Sequence, residues 1–290
     1  STYGEGLLAV VGEGGRIRAT FHQTVTRTGR LSSDAPNLHN IPVRTDKGKV
    51  FREAFIAKKD WVLLVADYNQ IELRCIAHLS GDSGLIQAFE AGEDIHTSTA
   101  AQVFGVGPSA VSKAQRERAK MVSYGLIYGM EAWGLAQRLG IGTKEAANIL
   151  NSYFGAFPSV KEYMESTVQI AKERGYTETL FGRRRRIPEL SSPNAMTRSL
   201  GERQAMNAGI QGLAADIFKI ALVKLNHKLK EKKMASRIVL QVHDEVILEC
   251  PKEELPEAEK ATIEIMGSAF NMSVPLAVNI SSGRTWSEAK

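Results

Sequence analysis

The clearest hydrophobic pattern in the chain is an unbroken apolar run from Trp61 to Ala66, which ends at Asp67. A short continuous run of this kind predicts a strand that is buried on both faces. A carboxylate cannot remain unpaired in an apolar interior. We therefore expect Asp67, at the end of this strand, to require a cation.

A second carboxylate occupies a similar position far downstream. Two strand-like runs, Arg237–Val242 and Glu245–Glu249, are separated only by His243 and Asp244, which predicts a tight hairpin with an acid at its tip. Two carboxylates at neighbouring strand ends of a basic protein suggest a shared pair of Mg²⁺ ions for phosphoryl chemistry.

Both carboxylates also have a purely structural interpretation. Asp67 could cap a helix that starts at Gln70, and Asp244 could supply only a turn, because Asp is favoured at both places. Neither residue alone separates the two interpretations, so the segment between them has to be considered.

The remaining pattern predicts strands on either side of a helical insertion. The predicted elements are a strand at Arg16–Gln23, helices from Gly84 to about Leu200 with a strand pair around Tyr176–Leu180, a helix from Arg203 towards Lys233, the hairpin, a helix over Glu253–Ala269 and a strand at Pro275–Ile280. This order predicts an α+β fold in which a helical subdomain is inserted into a sheet domain.

Capping signals mark two helix starts. Asp94 is a candidate N-cap, and Ser159 with Glu162 predicts a capping box for a helix over Val160–Arg174 that ends at Gly175.

The segment 26–44 has no periodicity, many Asn, Ser and Pro residues and three Arg. It predicts a surface loop with donors for phosphates or base edges, although such a composition is usually only a loop.

Composition sets broad limits. The chain has 290 residues and a net charge of +5, so a polyanionic partner is plausible without being required. Cys75 and Cys250 lie in apolar contexts and predict reduced core residues of a cytosolic protein. No apolar run approaches the ~20 residues of a membrane span. No signal peptide is visible, and the chain opens with Ser1 instead of Met, so we expect a fragment or a processed chain.

One predicted helix carries a stripe of cations and aromatic rings at every fourth residue. The stripe consists of Arg116, Lys120, Tyr124 and Tyr128. The cations stand nearer the N-terminus, where the helix dipole favours anions, and Gly125 and Gly129 are expected to leave room for a flat group. This face predicts a nucleoside triphosphate laid along the helix. The alternative is a solvated helix that is partly packed in the core.

A second stripe, Arg203, Asn207 and Gln211, follows the predicted long helix. Neutral amides on a helix can reach the acceptors of a DNA minor groove without demanding a particular sequence. The alternative is that the amides satisfy backbone groups of the protein itself.

Several of these segments, in this order, resemble family A of the DNA polymerases, the DNA polymerase I family. The three polymerase motifs correspond to Asp67–Arg74, Arg116–Gly129 and Gln241–Glu245, and further matches are Thr28–Ser33, Asn37–Pro42, Asp94–Thr97, Phe181–Arg185 and Gln211–Asp216. The similarity covers essentially all 290 residues and looks like a bacterial or phage-type enzyme.

The resemblance implies an α+β fold, a polymerase palm with an antiparallel sheet and an inserted helical fingers subdomain. Residues 1–83 would form the N-terminal part of the palm, 84–200 the fingers and 201–290 the C-terminal part of the palm. The implied activity is template-directed addition of deoxynucleotides to a primer 3′ end in DNA replication or repair, without the family's thumb, proofreading exonuclease or 5′ nuclease. The partners would be primer-template DNA and deoxynucleoside triphosphates. We expect a monomer that is cytoplasmic, nucleoid-associated and not bound to a membrane.

The resemblance also assigns the metal site. Asp67 and Asp244, with the carbonyl of Tyr68, would hold two Mg²⁺ ions about 3.5–4 Å apart. One ion would lower the pKa of the primer hydroxyl, and the other would grip the triphosphate. Glu245 would be a supporting acid.

The implied nucleotide and DNA contacts come from many parts of the chain. The nucleotide-binding residues would be Arg116 and Lys120 on the phosphates, Gln70 and His96 beside them, Glu72 and Tyr124 where a ribose 2′-hydroxyl would lie, and Tyr128 by the templating base. Lys120 would be the general acid for pyrophosphate. The DNA-binding residues would be Arg30, Asn37, Asn40, Arg203, Asn207, Gln211 and His243. The hydroxyl of Tyr124, where the family carries Phe or Tyr, implies ready acceptance of dideoxynucleotides.

The chain departs from the usual family pattern at a few positions. These are His39 for Gln, Asn69 for Ser, Ser123 for Asn, Arg186 for Tyr, Gly209 for Pro and Leu213 for a small hydroxyl residue. None removes an implied metal ligand, so the departures put only local DNA contacts and fidelity in doubt.

Three other functions are less well supported. A metal phosphohydrolase, suggested by His243 and Asp244, needs several further His ligands, and the other five His form no close cluster in the sequence. A single-subunit RNA polymerase should lack the acidic gate at Glu72. A non-catalytic DNA-binding module would be favoured only if the acids were missing.

Overall fold

The computed structural model describes residues 5–41 and 46–290, without the side chains of residues 46–49. Pro42 of the Asn37–Pro42 motif and Arg44 of the predicted loop therefore lie outside the described residues.

Strands lie on both sides of a long run of helices, in the order that the hydrophobic pattern predicts. The strands are β1 Thr20–His22, β2 Ser32–Asp34, β3 Trp61–Tyr68, β4 Tyr176–Glu178, β5 Arg184–Arg186, β6 Arg237–Val242, β7 Glu245–Pro251 and β8 Val278–Gly283. The helices are α1 Glu5–Leu8, α2 Asp46–Glu53, α3 Ile71–Ser80, α4 Ser83–Glu90, α5 Ile95–Phe104, α6 Lys113–Ile127, α7 Ala132–Leu139, α8 Thr143–Ala156, α9 Pro158–Arg174, α10 Ala195–Glu231 and α11 Leu255–Gly267.

The main sheet has four antiparallel strands in the order β6-β7-β3-β8. The central strand β3 pairs with β7 on one side and with β8 on the other, and Leu64 and Ala66 on one face and Leu63 and Val65 on the other are all buried. An apolar run without alternation is therefore needed here, because both faces of β3 are covered. The α+β class with an antiparallel sheet is confirmed.

The strand at the centre of the sheet is longer than the sequence predicted. Asp67 still pairs with Glu245, and Tyr68 pairs with Val278, so β3 does not end at Ala66. The N-cap of α3 is Gln70, whose side chain makes no capping hydrogen bond. The interpretation of Asp67 as a helix cap is therefore wrong, and its carboxylate needs another explanation.

Other predicted boundaries were wrong where tertiary pairing decides them. The strand expected at Arg16–Gln23 is only β1, the last strand runs three residues later than Pro275–Ile280, and α10 begins eight residues before Arg203. The hairpin of β6 and β7, by contrast, has the predicted two-residue turn.

One of the two capping predictions is wrong. The helix α9 begins at Pro158 after Phe157 without a side-chain cap, so Ser159 and Glu162 form no capping box. A capping box exists instead at Ser112 and Gln115, at the start of α6. Asp94 does cap α5, and Gly175 does end α9.

The chain divides into two compact units, which are described separately. The first contains Ser1–Asn69, Ala215–Phe270 and Leu276–Lys290, and the second contains Gln70–Ala214 and Asn271–Pro275. The division at 83/84 and 200/201 into palm and fingers portions stays a prediction.

The first unit is organised around the sheet. Its core packs apolar side chains from the N-terminal segments, the sheet and the C-terminus, including Leu7, Leu38, Leu63, Ile247 and Trp286. Glu249 in β7 is buried, and its carboxylate accepts hydrogen bonds from the guanidinium groups of Arg16 and Arg237.

The second unit is mainly helical, with the β4–β5 pair beside α9. Cys75 in this unit and Cys250 in the first are both buried, and neither forms a disulfide. None of the described helices has the length and apolar character that a membrane span requires.

The helix α10 approaches α9 closely at Gly209, where the family usually carries Pro. A Cβ atom added to Gly209 would lie 2.7 Å from the hydroxyl oxygen of Tyr163, and burial raises the pKa of that hydroxyl to about 12. Gly in a helix interior normally costs about 1 kcal/mol relative to Ala. At this position, glycine instead makes room for the neighbouring ring.

We expect Gly209→Ala to lower the free energy of unfolding by about 1–2 kcal/mol, because the new methyl group overpacks the contact with Tyr163. Urea unfolding measures the effect. Adding Tyr163→Phe should recover most of the loss. Gly155→Ala in α8 is the matched control, because its added Cβ would meet nothing within 4 Å among the described residues outside its own turn of helix. It should stabilise by up to about 1 kcal/mol. Equal effects of the two alanine variants would contradict this interpretation.

Candidate active site

The two predicted metal ligands of the first unit lie at one end of the sheet. Asp67 in β3 is the register partner of Glu245, the first residue of β7. The next backbone amide, that of Tyr68, donates to the carbonyl of Asp244 at the hairpin tip with an N–O distance of 3.2 Å. The antiparallel pairing of β3 and β7 therefore brings Asp67, Asp244 and Glu245 together.

The electrostatics of this cluster favour a cation. Burial raises the pKa of Asp67 to about 6, and the carboxylates of Glu245 and Asp244 add to the rise, while Lys290 opposes it. A bound cation would remove this penalty by neutralising the charges. The available donors are carboxylate and carbonyl oxygens, the ligand type that Mg²⁺ prefers.

This cluster does not provide a full set of protein ligands for a metal ion. Among residues 5–41 and 46–290, no group of three or more His, Cys, Asp or Glu side chains is arranged to hold an ion. The predicted set of two carboxylates and one carbonyl is consistent with this, since Mg²⁺ is commonly bound by one or two carboxylates with substrate phosphates and water. The residues present therefore fit the expected metal.

Glu245 is held by residues that sequence reasoning missed. It is 2% exposed, its Oε1 accepts a hydrogen bond of 2.9 Å from the indole of Trp286, and its Oε2 accepts one from the ammonium of Lys290. Both oxygens are thus engaged by the C-terminal segment. No local pattern could have indicated these contacts, because the partners lie more than 40 residues away in sequence.

The hairpin and its tip also contact the segments on either side of β2. A guanidinium nitrogen of Arg30 lies 3.6 Å from an oxygen of Asp244. The ring of His39, a departure from the family pattern, donates through Nε2 to the carbonyl of Gln241 at 3.0 Å, and its centroid is 5.7 Å from that of His243. Burial lowers the pKa of both histidines, so they are uncharged at neutral pH.

Two predicted DNA-binding residues, Asn37 and Asn40, lie shortly after β2. The side chain of Asn37 accepts a hydrogen bond from the amide of His39 and caps a short 3-10 helix that ends at Asn40. Both asparagines are exposed. They remain accessible, although Asn37 already has a local structural role.

In the second unit, α6 carries the predicted phosphate-binding cations. Arg116 and Lys120 lie in the first half of the helix, Tyr124 lies in its second half, and Tyr128 is its C-cap. Lys120 is exposed, whereas Arg116 is engaged by Asp94.

The contact between Arg116 and Asp94 uses both carboxylate oxygens. The Nε and Nη2 atoms of Arg116 donate to Oδ1 and Oδ2 at 3.1 and 2.7 Å. The hydrogen bond from Arg116, together with one from the amide of Thr97, lowers the pKa of Asp94 to about 2. The sequence identified Asp94 as a helix cap and as part of the Asp94–Thr97 motif, but not as the partner of Arg116.

His96 faces these cations from α5. It is 3% exposed, and its Nδ1 has no hydrogen-bond partner among the described residues. The pKa of His96 is lowered to about 4, chiefly by burial and also by the positive charges of Lys120 and Arg116, against the opposing effect of Asp94. The imidazole is therefore neutral at pH 7, with its ring centroid 5.9 Å from that of Tyr124.

Glu72, the predicted sugar gate, is 6% exposed in α3. The hydroxyl of Tyr128 donates to its Oε2 at 3.3 Å, which joins two of the predicted nucleotide-binding residues. Gln70 precedes the helix in a left-handed conformation, with φ of 54°. The second unit thus brings Glu72 and Tyr128 together, and Arg116, Lys120, His96 and Tyr124 form a second group.

The expectation that Gly125 and Gly129 leave room for a ligand is wrong. A Cβ at Gly125 would lie 3.2 Å from the sulfur of Met130, and one at Gly129 would lie 2.7 Å from Cγ of Arg203. Gly129 also has φ of 67°, which side chains rarely adopt. The two glycines allow close packing of protein side chains.

Two side chains of the Arg203, Asn207 and Gln211 stripe on α10 form hydrogen bonds within the protein. Asn207 donates through Nδ2 to the carbonyl of Ile127 at 3.1 Å, as the alternative interpretation allowed. Arg203 donates to the hydroxyl of Ser199 at 2.6 Å, and Gln211 is half-buried. Asn207 therefore links α10 to the end of α6.

Comparisons with known proteins all point to the family that the sequence motifs resemble. The profile of DNA polymerase family A matches residues 1–288. DNA polymerase I of Bacillus subtilis (strain 168) is 50% identical over 292 residues, covering 100% of this chain and 33% of that protein. The thermostable DNA polymerase I of Thermus filiformis is 50% identical over 276 residues, covering 95% and 33%.

A solved structure is also similar to nearly the whole of this chain. The POL domain of Pol1 from M. smegmatis, in complex with DNA primer-template and dNTP, matches with a TM-score of 0.95 at 47% identity. The match covers 98% of this chain and 50% of that one, and this chain spans about a third of the length of the curated relatives. The resemblance drawn from the sequence motifs is confirmed. This chain belongs to DNA polymerase family A.

Proposed function

We propose that this chain carries out template-directed DNA synthesis, adding deoxynucleotides to a primer 3′ end, in DNA replication or repair. The observation that carries the proposal is the convergence of Asp67, Asp244 and Glu245 at one end of the sheet, with the pKa of Asp67 raised by burial and by its two acidic neighbours. Acids that repel one another in this way are suited to holding divalent cations. Family A DNA polymerases generally depend on such ions.

We assign the metal ligands to Asp67, Asp244 and the carbonyl of Tyr68. When bound by these residues, a pair of Mg²⁺ ions would make the primer 3′-hydroxyl more acidic and would neutralise charge on the phosphates. Glu245, fixed by Trp286 and Lys290, keeps a third negative charge beside the ligands and adds to the attraction for cations.

The α6 helix is assigned to the triphosphate. Arg116 and Lys120 bind its negative oxygens, and the ammonium of Lys120 donates a proton to the leaving pyrophosphate. His96 is neutral, and its Nδ1 has no partner within the described part of the chain, so it can offer a hydrogen bond to a phosphate oxygen without adding repulsion between cations. Gln70 is assigned to the same ligand.

The sugar and base are assigned to the remaining residues of the second unit. Glu72 and the ring of Tyr124 occupy the space that a ribose 2′-hydroxyl requires, and Tyr128 lies by the templating base. The hydrogen bond between Tyr128 and Glu72 supports a joint role, because it orients the buried carboxylate.

The DNA contacts are assigned to polar side chains of both units. They are Arg30, Asn37, Asn40, Arg203, Asn207, Gln211 and His243. Such contacts are largely independent of sequence, as copying any template requires.

A primer-extension assay tests the proposal. The purified chain is incubated with Mg²⁺, a labelled primer on a template and either deoxynucleotides or ribonucleotides. We expect extension that follows the template and depends on Mg²⁺ with deoxynucleotides, and little with ribonucleotides. End-labelled DNA should remain uncut when nucleotides are omitted, because we assign no nuclease to the chain. Ribonucleotide-only extension would favour an RNA polymerase, and no extension would contradict the proposal.

We expect Glu72→Ala to raise incorporation of ribonucleotides relative to deoxynucleotides by at least about tenfold, or ~1.4 kcal/mol, since it opens space beside the 2′ carbon. The ratio of kcat/KM values for paired nucleotides measures it. Glu72→Gln is the control, because it keeps the size of the side chain and an acceptor for Tyr128. If both variants keep the original ratio, the sugar is selected elsewhere.

A further inference from the structure

The guanidinium of Arg116 is already occupied by carboxylates. Asp94 takes its Nε and Nη2 edge in the two-pronged geometry that a phosphate would also use. The remaining nitrogen, Nη1, donates to Glu117 at 3.1 Å. A phosphate can therefore reach the Nε and Nη2 edge of Arg116 only by displacing Asp94.

Asp94 is the fixed member of this pair. Its Oδ1 also accepts a hydrogen bond of 2.8 Å from the amide of Thr97, which caps α5. Moving Asp94 would uncap that helix, whereas Arg116 lies at the end of a flexible, partly exposed side chain. Exchange would therefore proceed by movement of Arg116.

The surroundings of the pair suit an anion. Lys120 lies one turn further along α6, and His96 lies close enough to both cations for their charges to lower its pKa. The Nδ1 of His96 is buried without a partner among the described residues. Asp94 thus places one negative charge beside a group that otherwise attracts phosphates.

We propose that Asp94 is a positioning residue that competes with phosphates for Arg116, holding it before the nucleotide binds and taking it back when pyrophosphate leaves. This inference rests on the proposed function for its role in turnover, but the competition itself does not. The competition predicts that Asp94 weakens the binding of both the triphosphate and pyrophosphate. The chain would therefore bind the nucleotide less tightly but release pyrophosphate faster.

Asp94→Asn tests the proposal, because Asn keeps the cap and the size but removes the charge. We expect inorganic tripolyphosphate to bind this variant about threefold to tenfold more tightly than the unchanged chain, as measured by calorimetry at low salt. Pyrophosphate should inhibit primer extension at correspondingly lower concentrations. Glu162→Gln, an exposed acid of α9, controls for the change in net charge.

A double-mutant cycle separates competition from a structural effect. In the Arg116→Ala background, Asp94→Asn should tighten tripolyphosphate binding much less, because the contested guanidinium is gone and only the loss of a nearby negative charge remains. Asp94→Ser, a second capping residue without charge, should reproduce the effect if the asparagine variant folds poorly. The proposal would be overturned if Asp94→Asn and Asp94→Ser both bound tripolyphosphate as tightly as the unchanged chain or more weakly. Because tripolyphosphate binding needs no DNA synthesis, failure of the proposed function would be recognised separately.

Discussion

Primer extension by Asp67→Asn should be slower than that of the unchanged chain by roughly a thousandfold or more. The substitution removes a charge from the proposed metal site, and stabilisation of the transition state by such ions amounts to several kcal/mol. Asp244→Asn should have a similar effect. Single-turnover extension at saturating deoxynucleotide measures the rate, and gel-shift titration with primer-template should show that DNA binding largely survives.

The matched control is Asp60→Asn, an exposed residue just before the opposite end of β3. It makes the same chemical change beside the same strand and should extend primers normally. The carboxylates near Asp67 repel one another without metal, so we expect Asp67→Asn to melt at the same temperature as the unchanged chain or higher. Near-normal extension by either site variant would refute the metal assignment.

Lys120→Ala is expected to lower the rate of the chemical step by about a hundredfold to ten-thousandfold, the usual range for losing a general acid. Lys120→Arg should restore nucleotide binding but only part of the rate, because guanidinium keeps the charge and releases its proton poorly. Rapid-quench experiments at several nucleotide concentrations separate the rate from the apparent affinity.

Lys113→Ala is the control for Lys120, because Lys113 is exposed at the first position of the same helix. It should change neither quantity by more than about twofold, as expected for an exposed surface charge. If Lys120→Arg were as fast as the unchanged chain, proton donation by Lys120 would be ruled out and only its charge would matter.

The sequence predicted well those features that depend on local pattern. The two-residue gap between β6 and β7 leaves space only for a tight turn, and the cap at Asp94 depends on an amide three residues away. The family motifs then placed the acids, cations and tyrosines in one functional context, although the individual roles of these residues stay predictions.

The remaining features depend on partners that are distant in the sequence. β3 continues through Asp67 because β7 and β8 supply hydrogen bonds there, which no local composition encodes. The space beside Gly129 is filled by Arg203 from α10, and Arg116 finds its carboxylate 22 residues away. Such contacts can be inferred only once the elements are placed in three dimensions.

The contact between Lys290 and Glu245 places an ammonium group beside the acids at the end of the sheet. Modification of this one amine by a lysine-directed reagent would take away a positive charge beside Glu245 and would leave the hydrogen bond from Trp286 in place. The charge of Lys290 lowers the pKa of Asp67, so its loss should make that carboxyl group harder to ionise. Partly modified preparations would then contain molecules with different electrostatic environments around Asp67.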